Sequence, residues 1–304
     1  MNWKAQLNND NKAVVIPHHS NINGTLVNTI KLDKASNTVF SDLRESYMRL
    51  KHRRGIFYKN NSCSTLDEND EKFFVEIKSF YDGLFHQHAV EPKLYLSLVM
   101  ENNGLAMLED VEKRQIFFTA AKHVQALEVL YSSWKCRKHQ NASCFALPNG
   151  NFANITYLDT YMNNDTERLN DSSNVFTVYK IHVLTIVNAM EIVDAYFNNV
   201  QPTQDDLVFL LGLLVFDPTI PNISKATTEM MASSRNLLIK GFMKRSESAS
   251  IDGVLRFDSL CSIIAAVKLY VPKLCENFIM LKFFNVIPKD PLFDQLWDIT
   301  KNIV

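Results

Sequence analysis

The sequence predicts an all-α protein, a single domain of about ten helices with at most a small β-hairpin. Three observations carry that expectation. Apolar residues recur at helical spacing along most of the chain. One such segment is apolar on nearly every side, as a helix in the middle of a structure would be. Glycine is scarce, at 8 of 304 residues, and no internal repeat is visible.

Residues 1 to about 36 are rich in asparagine, hold few large apolar side chains and show no sustained period. They read as a mobile arm ahead of a domain spanning residues 37–304. Helical spacing begins near Val39, where Phe40, Leu43, Tyr47 and Leu50 step by 3, 4 and 3. The basic run "RLKHRR", Arg49 to Arg54, reads as the solvated face of that helix. Beyond a polar loop, "KFFVEIKSFYDGLF" and "EPKLYLSLVMENN" read as two more helices, the second with Pro92 in its first turn.

The segment Lys113 to Trp134 is the strongest helix. Ile116, Ala120, Val124, Leu127, Tyr131 and Trp134 form one stripe, and Phe117, Ala121, Ala126, Val129 and Leu130 add apolar mass elsewhere. Residues 136–172 are irregular, with a possible hairpin in "FALPNGNFANITYLD". An amphipathic helix follows, marked by Tyr179, Val183, Ile186, Met190, Val193 and Phe197. Next comes a core helix, Leu207–Phe216. "PNIS" then caps a helix running to about Arg245, and Asp252 to Asn285 forms a long helix that Pro272 should bend. The chain closes on "DPLFDQLWDI", where Asp290 and Pro291 start a short helix and Leu292, Phe293, Leu296 and Trp297 share one face.

Composition excludes several classes of function. A net charge of −1 gives no global attraction to phosphate backbones or acidic membranes. The N-terminal residues lack the apolar core of a secretory leader, so an intracellular protein is expected. The longest apolar run, Leu207–Phe216, falls well below the ~20 residues of a membrane span. Cys63, Cys136, Cys144, Cys261 and Cys275 include no C-x-x-C pair, so neither a zinc ribbon nor a disulfide framework is expected, and reduced thiols fit best. His86 and His88 are wrongly spaced to ligate a metal from one helix face. Asp205 and Asp206 lack a third carboxylate one turn on, where Phe209 stands; they suit the first turn of the helix that follows. No phosphate loop or nucleophile elbow occurs. No metal, cofactor or enzymatic site is therefore expected.

The stretch "LAMLEDVEKRQIFF" is similar to the signature of nuclear hormone receptor ligand-binding domains, carried here by Leu105, Leu108, Glu112, Lys113, Ile116 and Phe117. "DDLVFLLGLLVFDPTIPNIS" looks like that family's paired helices joined by an Asp-Pro turn, with Ser224 capping the second. "RFDSLCSIIAAVKLYVPKLCENF" resembles its dimerisation helix, and "DPLFDQLWDI" its mobile activation helix. The resemblance is closest to the divergent, nematode-expanded type and covers Val39 to the C-terminus.

The resemblance implies a three-layer helical sandwich in the nucleus, acting in transcription regulation. It implies a small hydrophobic ligand in a core cavity of roughly 300–1,000 Å³, or else a ligand-independent dimer partner. Tyr95, Asn102, His123 and Gln125 are the candidate polar anchors of such a pocket. A coregulator helix would lie in a groove built from Lys113, Ile116, Leu292, Phe293, Gln295, Leu296 and Trp297. A homo- or heterodimer would form along residues 252–285.

Two departures stand out. Gln295 and Met100 occupy the places of the family's glutamate and lysine charge clamp, so a partner helix would find no ionic grip at its ends. The family's two four-cysteine zinc sites are missing, so no direct DNA contact is expected from this chain. The alternative from another class is an all-α adaptor without a ligand, in which the last helix is a permanent strut.

Overall fold

The computed structural model describes residues 22–58, 74–79, 83, 89–140, 143–165, 173–247, 252–284, 287 and 289–297. Over 22–34, 173–176 and 245–247, and at a few single positions, it describes the backbone alone. Nine α-helices lie among these residues. They are α1 (Ile22–Tyr58), α2 (Glu91–Met100), α3 (Asp110–Gln140), α4 (Leu158–Asp165) and α5 (Ser173–Val200), then α6 (Gln204–Val215), α7 (Lys225–Glu247), α8 (Asp252–Phe283) and α9 (Pro291–Trp297). Three short strands, β1 (Val75–Glu76), β2 (Cys144–Ala146) and β3 (Asn151–Asn154), make one small sheet. The all-α expectation holds, with a small β element beside the helices.

The helices stack in three layers. α3 packs against α2 on one side and against α5 and α8 on the other; α6 likewise lies between α1 and α8. α5 and α8 pair along their lengths, and α7 joins α1, α6 and α8. One apolar core draws on every helix. The middle layer is the most deeply buried, as its all-round apolar surface requires. Every residue of α6 from Asp206 to Val215 is buried.

Capping explains where the central helices start. The Thr203 hydroxyl accepts the Asp206 amide (3.2 Å), and the Asp206 carboxylate accepts the Thr203 amide (2.8 Å). This reciprocal pair satisfies two of the free amides at the start of α6. Gly212 lets α6 approach its neighbours. A Cβ there would lie 2.6 Å from Leu43 of α1 and 2.7 Å from Leu238 of α7.

The structure corrects two element assignments. α1 starts at Ile22, so residues 22–36 of the expected arm are helical; residues 1–21 lie outside the described residues. Near its described end, Ser36 is buried and donates its hydroxyl to the Leu237 carbonyl, and a Cβ on Gly241 would lie only 3.0 Å from its oxygen.

The second correction lies in the first half of "KFFVEIKSFYDGLF"; Gly83 is helical, and residues 72–73, 80–82 and 84–85 lie outside the described residues. That first half holds β1, which pairs in parallel with β3 through Val75–Asn151 and Glu76–Phe152. The helical reading loses there because a partner strand supplies the ladder bonds, and β-branched Val75 and Ile77 suit that setting. The hairpin expected within "FALPNGNFANITYLD" is present as antiparallel β2 and β3, which start one residue earlier, at Cys144. α8 runs unbroken through Pro272.

Candidate functional site

The chain buries two polar regions of opposite character. The first joins α1, α2 and α3. The stripe Leu43, Tyr47, Leu50 continues to Arg54 and Tyr58, and all five are buried. Arg54 is only 5% exposed, so it departs from the solvated reading of "RLKHRR". Its guanidinium reaches Glu91 of α2 at 2.7 Å and Glu128 of α3 at 2.9 Å. Glu128 also accepts hydroxyls from Tyr47 (2.8 Å) and Tyr95 (2.5 Å), and Glu91 accepts one from Tyr58 at 3.3 Å.

Burial alone would lower the Arg54 pKa, but Glu128 and Glu91 hold it well above its usual value. Burial, reinforced by Glu128, raises the Tyr47 and Tyr95 phenols well above theirs. The groups therefore satisfy one another, as a buried ion cluster must. A cavity of about 30 Å³ adjoins them, lined by Tyr47, Lys51, Arg54, Glu128, Tyr131 and Ser132 among others. It suits a water or two, which need roughly 10–15 Å³ each.

Sequence reasoning missed this cluster as a unit. Its signal is the placement of Arg54 on the apolar stripe of α1, four residues beyond Leu50. A charge at a core position calls for a buried partner.

The second region lies inside the C-terminal helix. α9 packs against α2, α3 and α8. The Asp290 carboxylate caps it, accepting the Leu292 and Phe293 amides at 3.0 Å each, and Lys93 of α2 stands 3.3 Å from the same carboxyl. Burial opposes the charge on Asp290, but the Phe293 amide and Lys93 outweigh it and hold its pKa below the usual value. Phe293, Leu296 and Trp297 are fully buried, whereas Leu292 is half-buried and Gln295 is exposed. Lys282 of α8 pairs with Asp294 at 3.1 Å. The helix therefore has a packed inner side and an outer side open to solvent.

Behind α9, Phe278 of α8 stacks on Trp297 (4.4 Å between ring centres), meets Phe293 edge-on (5.3 Å) and touches the His182 ring of α5 (5.0 Å). Several polar groups among the described residues are buried without hydrogen-bond partners. They include His182 Nδ1 and Trp297 Nε1, whose rings both touch Phe278, and both the Nε2 and Oε1 of Gln125 on α3. Each such group costs about 1–3 kcal/mol relative to a satisfied one. Burial pushes the His182 pKa down to about 4, so the ring is neutral at physiological pH.

The four sequence-selected anchors therefore divide. Tyr95 is consumed by the Arg54 cluster. Asn102 is buried and donates to Ser46 Oγ at 3.2 Å, with its own oxygen unpartnered. The His123 ring is bonded to the Thr119 carbonyl at 2.9 Å, and burial lowers its pKa to about 4. Gln125 alone has a side chain that is buried and bonded to nothing. His182, which the periodicity did not single out, and Trp297, read only as part of an apolar face, are the other unpartnered side chains of note.

Of the residues assigned to a partner groove, Ile116 is fully buried and belongs to the core. Lys113 is mostly buried, 3.9 Å from Asp110. In the signature, Leu105 and Phe117 are core residues and Leu108 packs at its edge. Glu112 spans to α7, accepting the Ser224 amide (2.8 Å) and the Thr227 hydroxyl (2.7 Å). Those bonds, the Ser224 amide first, lower its pKa. The carboxylate thus favours the N-terminus of α7 as well as that of α3.

No known protein-family model matches the chain. Among the described residues no helix is long and apolar enough to cross a membrane, and no group of three or more His, Cys, Asp or Glu side chains gathers as a metal site.

Proposed function

We propose that this chain is a nuclear-receptor-type ligand-binding and protein-interaction domain that regulates transcription through its partners. The observation that carries the reading is α9, with its inner side packed over buried, unpartnered polar groups and its outer side open. In that reading a compact apolar ligand with a hydrogen-bonding group settles among Gln125, His182 and Trp297. By doing so it favours the docked position of α9.

Magnitudes allow such a shift. Burying Phe293 and Leu296 contributes about 2–3 kcal/mol each, and Trp297 about 4, at ~25 cal/mol per Å². Ordering the seven residues of α9 costs roughly 7–14 kcal/mol. The two nearly cancel, so a differential affinity of about 5.5 kcal/mol would move docking from 1:99 to 99:1. The docked helix then offers Leu292 and Gln295 to an amphipathic partner helix, without a charge clamp. The outer face of α8, with Leu255, Leu269 and Phe283 strongly exposed, is the surface for a homo- or heterodimer.

The deep burial of Phe293, Leu296 and Trp297 also favours a second reading, a ligand-independent adaptor with α9 as a fixed strut. Native mass spectrometry of freshly purified protein separates the two. The receptor reading expects a co-purified lipid-like molecule, released on denaturation and reduced in a Gln125→Leu variant. Bare protein whose melting temperature no apolar compound moves supports the strut.

A further inference from the structure

The end of α3 and strand β2 share a feature that the proposed function leaves unused. Cys136 and Cys144 are both fully buried, and with Ala146 and Phe152 they form a small apolar cluster separate from the main core. Both are free thiols. The elements carrying them are already bolted together. The Ser133 hydroxyl donates to the Ala146 carbonyl at 3.2 Å and accepts the Ala146 amide at 2.9 Å. Cys136 lies one turn beyond Ser133 on the same helix face, and Cys144 lies two residues before Ala146 on the same strand face. The two side chains consequently meet in that cluster.

We infer that Cys136 and Cys144 are an oxidisable dithiol that a small peroxide closes into a disulfide, fastening the β2–β3 hairpin to the central helix. The position fits. Two thiols in one buried cluster, on elements fixed to each other through Ser133 and Ala146, are placed to reach the ~2.05 Å of an S–S bond by side-chain rotation. The chemistry balances in two steps. The Cys144 thiolate attacks one peroxide oxygen, giving a sulfenic acid and releasing the other oxygen as water. The Cys136 sulfur then attacks the sulfenic sulfur, the S–S bond forms, and a second water leaves with the Cys136 proton. One peroxide is reduced and two thiols are oxidised.

Burial raises both thiols above their usual range, and the neighbouring Cys144 raises Cys136 further, so Cys144 is the first nucleophile. Burial makes the pair unreactive while the hairpin is closed. Reaction therefore follows local opening of the hairpin, so this site records such openings independently of any ligand.

The test treats the reduced, full-length protein with hydrogen peroxide and maps its disulfides by non-reducing digestion and mass spectrometry. The expected result is a loss of two hydrogen atoms' mass and a peptide joining Cys136 to Cys144. A thiol reductant should reverse it, and the melting temperature should rise by a few degrees while the bond stands. A Cys261→Ser/Cys275→Ser variant should behave identically, and Cys144→Ala should form no such bond. The inference is overturned if the folded wild type keeps both thiols while other cysteines oxidise. Sulfinic acid at either position without a bond, or pairing with a different cysteine, overturns it equally. The wild-type map decides the matter even where a variant does not fold.

Discussion

Two buried polar regions, one around Arg54 and one behind α9, are built on opposite terms. Around Arg54, one guanidinium, two carboxyl groups and three phenols account for one another. Behind α9, His182 and Trp297 present buried polar atoms without a hydrogen-bond partner, and Gln125 of α3 does the same. The first arrangement spends its polarity on tying α1, α2 and α3 together. The second keeps polarity in reserve beside a helix of seven residues. A satisfied cluster reads as scaffold, and an unsatisfied one as a place where something else completes the bonding.

Substitutions should separate the two most sharply at Arg54. Arg54→Met leaves Glu91 and Glu128 facing each other in the interior, and should cost about 3–5 kcal/mol in chemical denaturation. Loss of under 1 kcal/mol would mean the cluster is not load-sharing between the helices.

The next largest effect is acid sensitivity from His182. Above pH ~6.5 the ring is neutral whether the chain is folded or not. As pH falls from there towards the folded value of about 4, the unfolded chain takes up a proton that the folded one refuses. Stability therefore declines across that window, by up to roughly 3 kcal/mol. His123 acts in the same sense. His182→Leu should remove about half of this decline in urea titrations at pH 4 to 7, and an unchanged slope would contradict the burial of His182.

Gln125→Leu should do the reverse of Arg54→Met. Removing an unpartnered buried amide stabilises the free protein, by about 1–3 kcal/mol, and abolishes any stabilisation by an apolar ligand. A destabilised variant would show that Gln125 is bonded after all. The smallest effect belongs to Glu101→Gln, which loosens the exposed pair with Arg53 at 2.7 Å. Such a pair is worth ~0.2–1 kcal/mol, so the neighbouring arginines of one run should differ several-fold in their stability cost.

Much of the fold was legible because apolar spacing and caps are local. The stripe from Ile116 to Trp134, the Thr203–Asp206 start of α6, Ser224 at α7 and the Asp290 cap of α9 all depend on neighbours in sequence. What was not legible depends on distant partners. Arg54 looks like one more surface base until Glu91 and Glu128 are placed against it. The N-terminal part of α1 reads as an arm because asparagines and threonines interrupt its apolar residues. β1 reads as helix until β3 lies beside it. In the site, Gln125 stood out as a polar residue on an apolar helix. His182 and Trp297 acquired meaning only when Phe278 brought α5, α8 and α9 together.

Hydrogen exchange resolved along the chain tests the central claim, that α9 docks and undocks over an otherwise stable core. The amides of α9 should exchange through local opening, far faster than those of α3 and α6, and should slow when an apolar ligand is bound. Exchange of α9 only at the rate of global unfolding, unchanged by any ligand, would contradict it and leave a permanent strut.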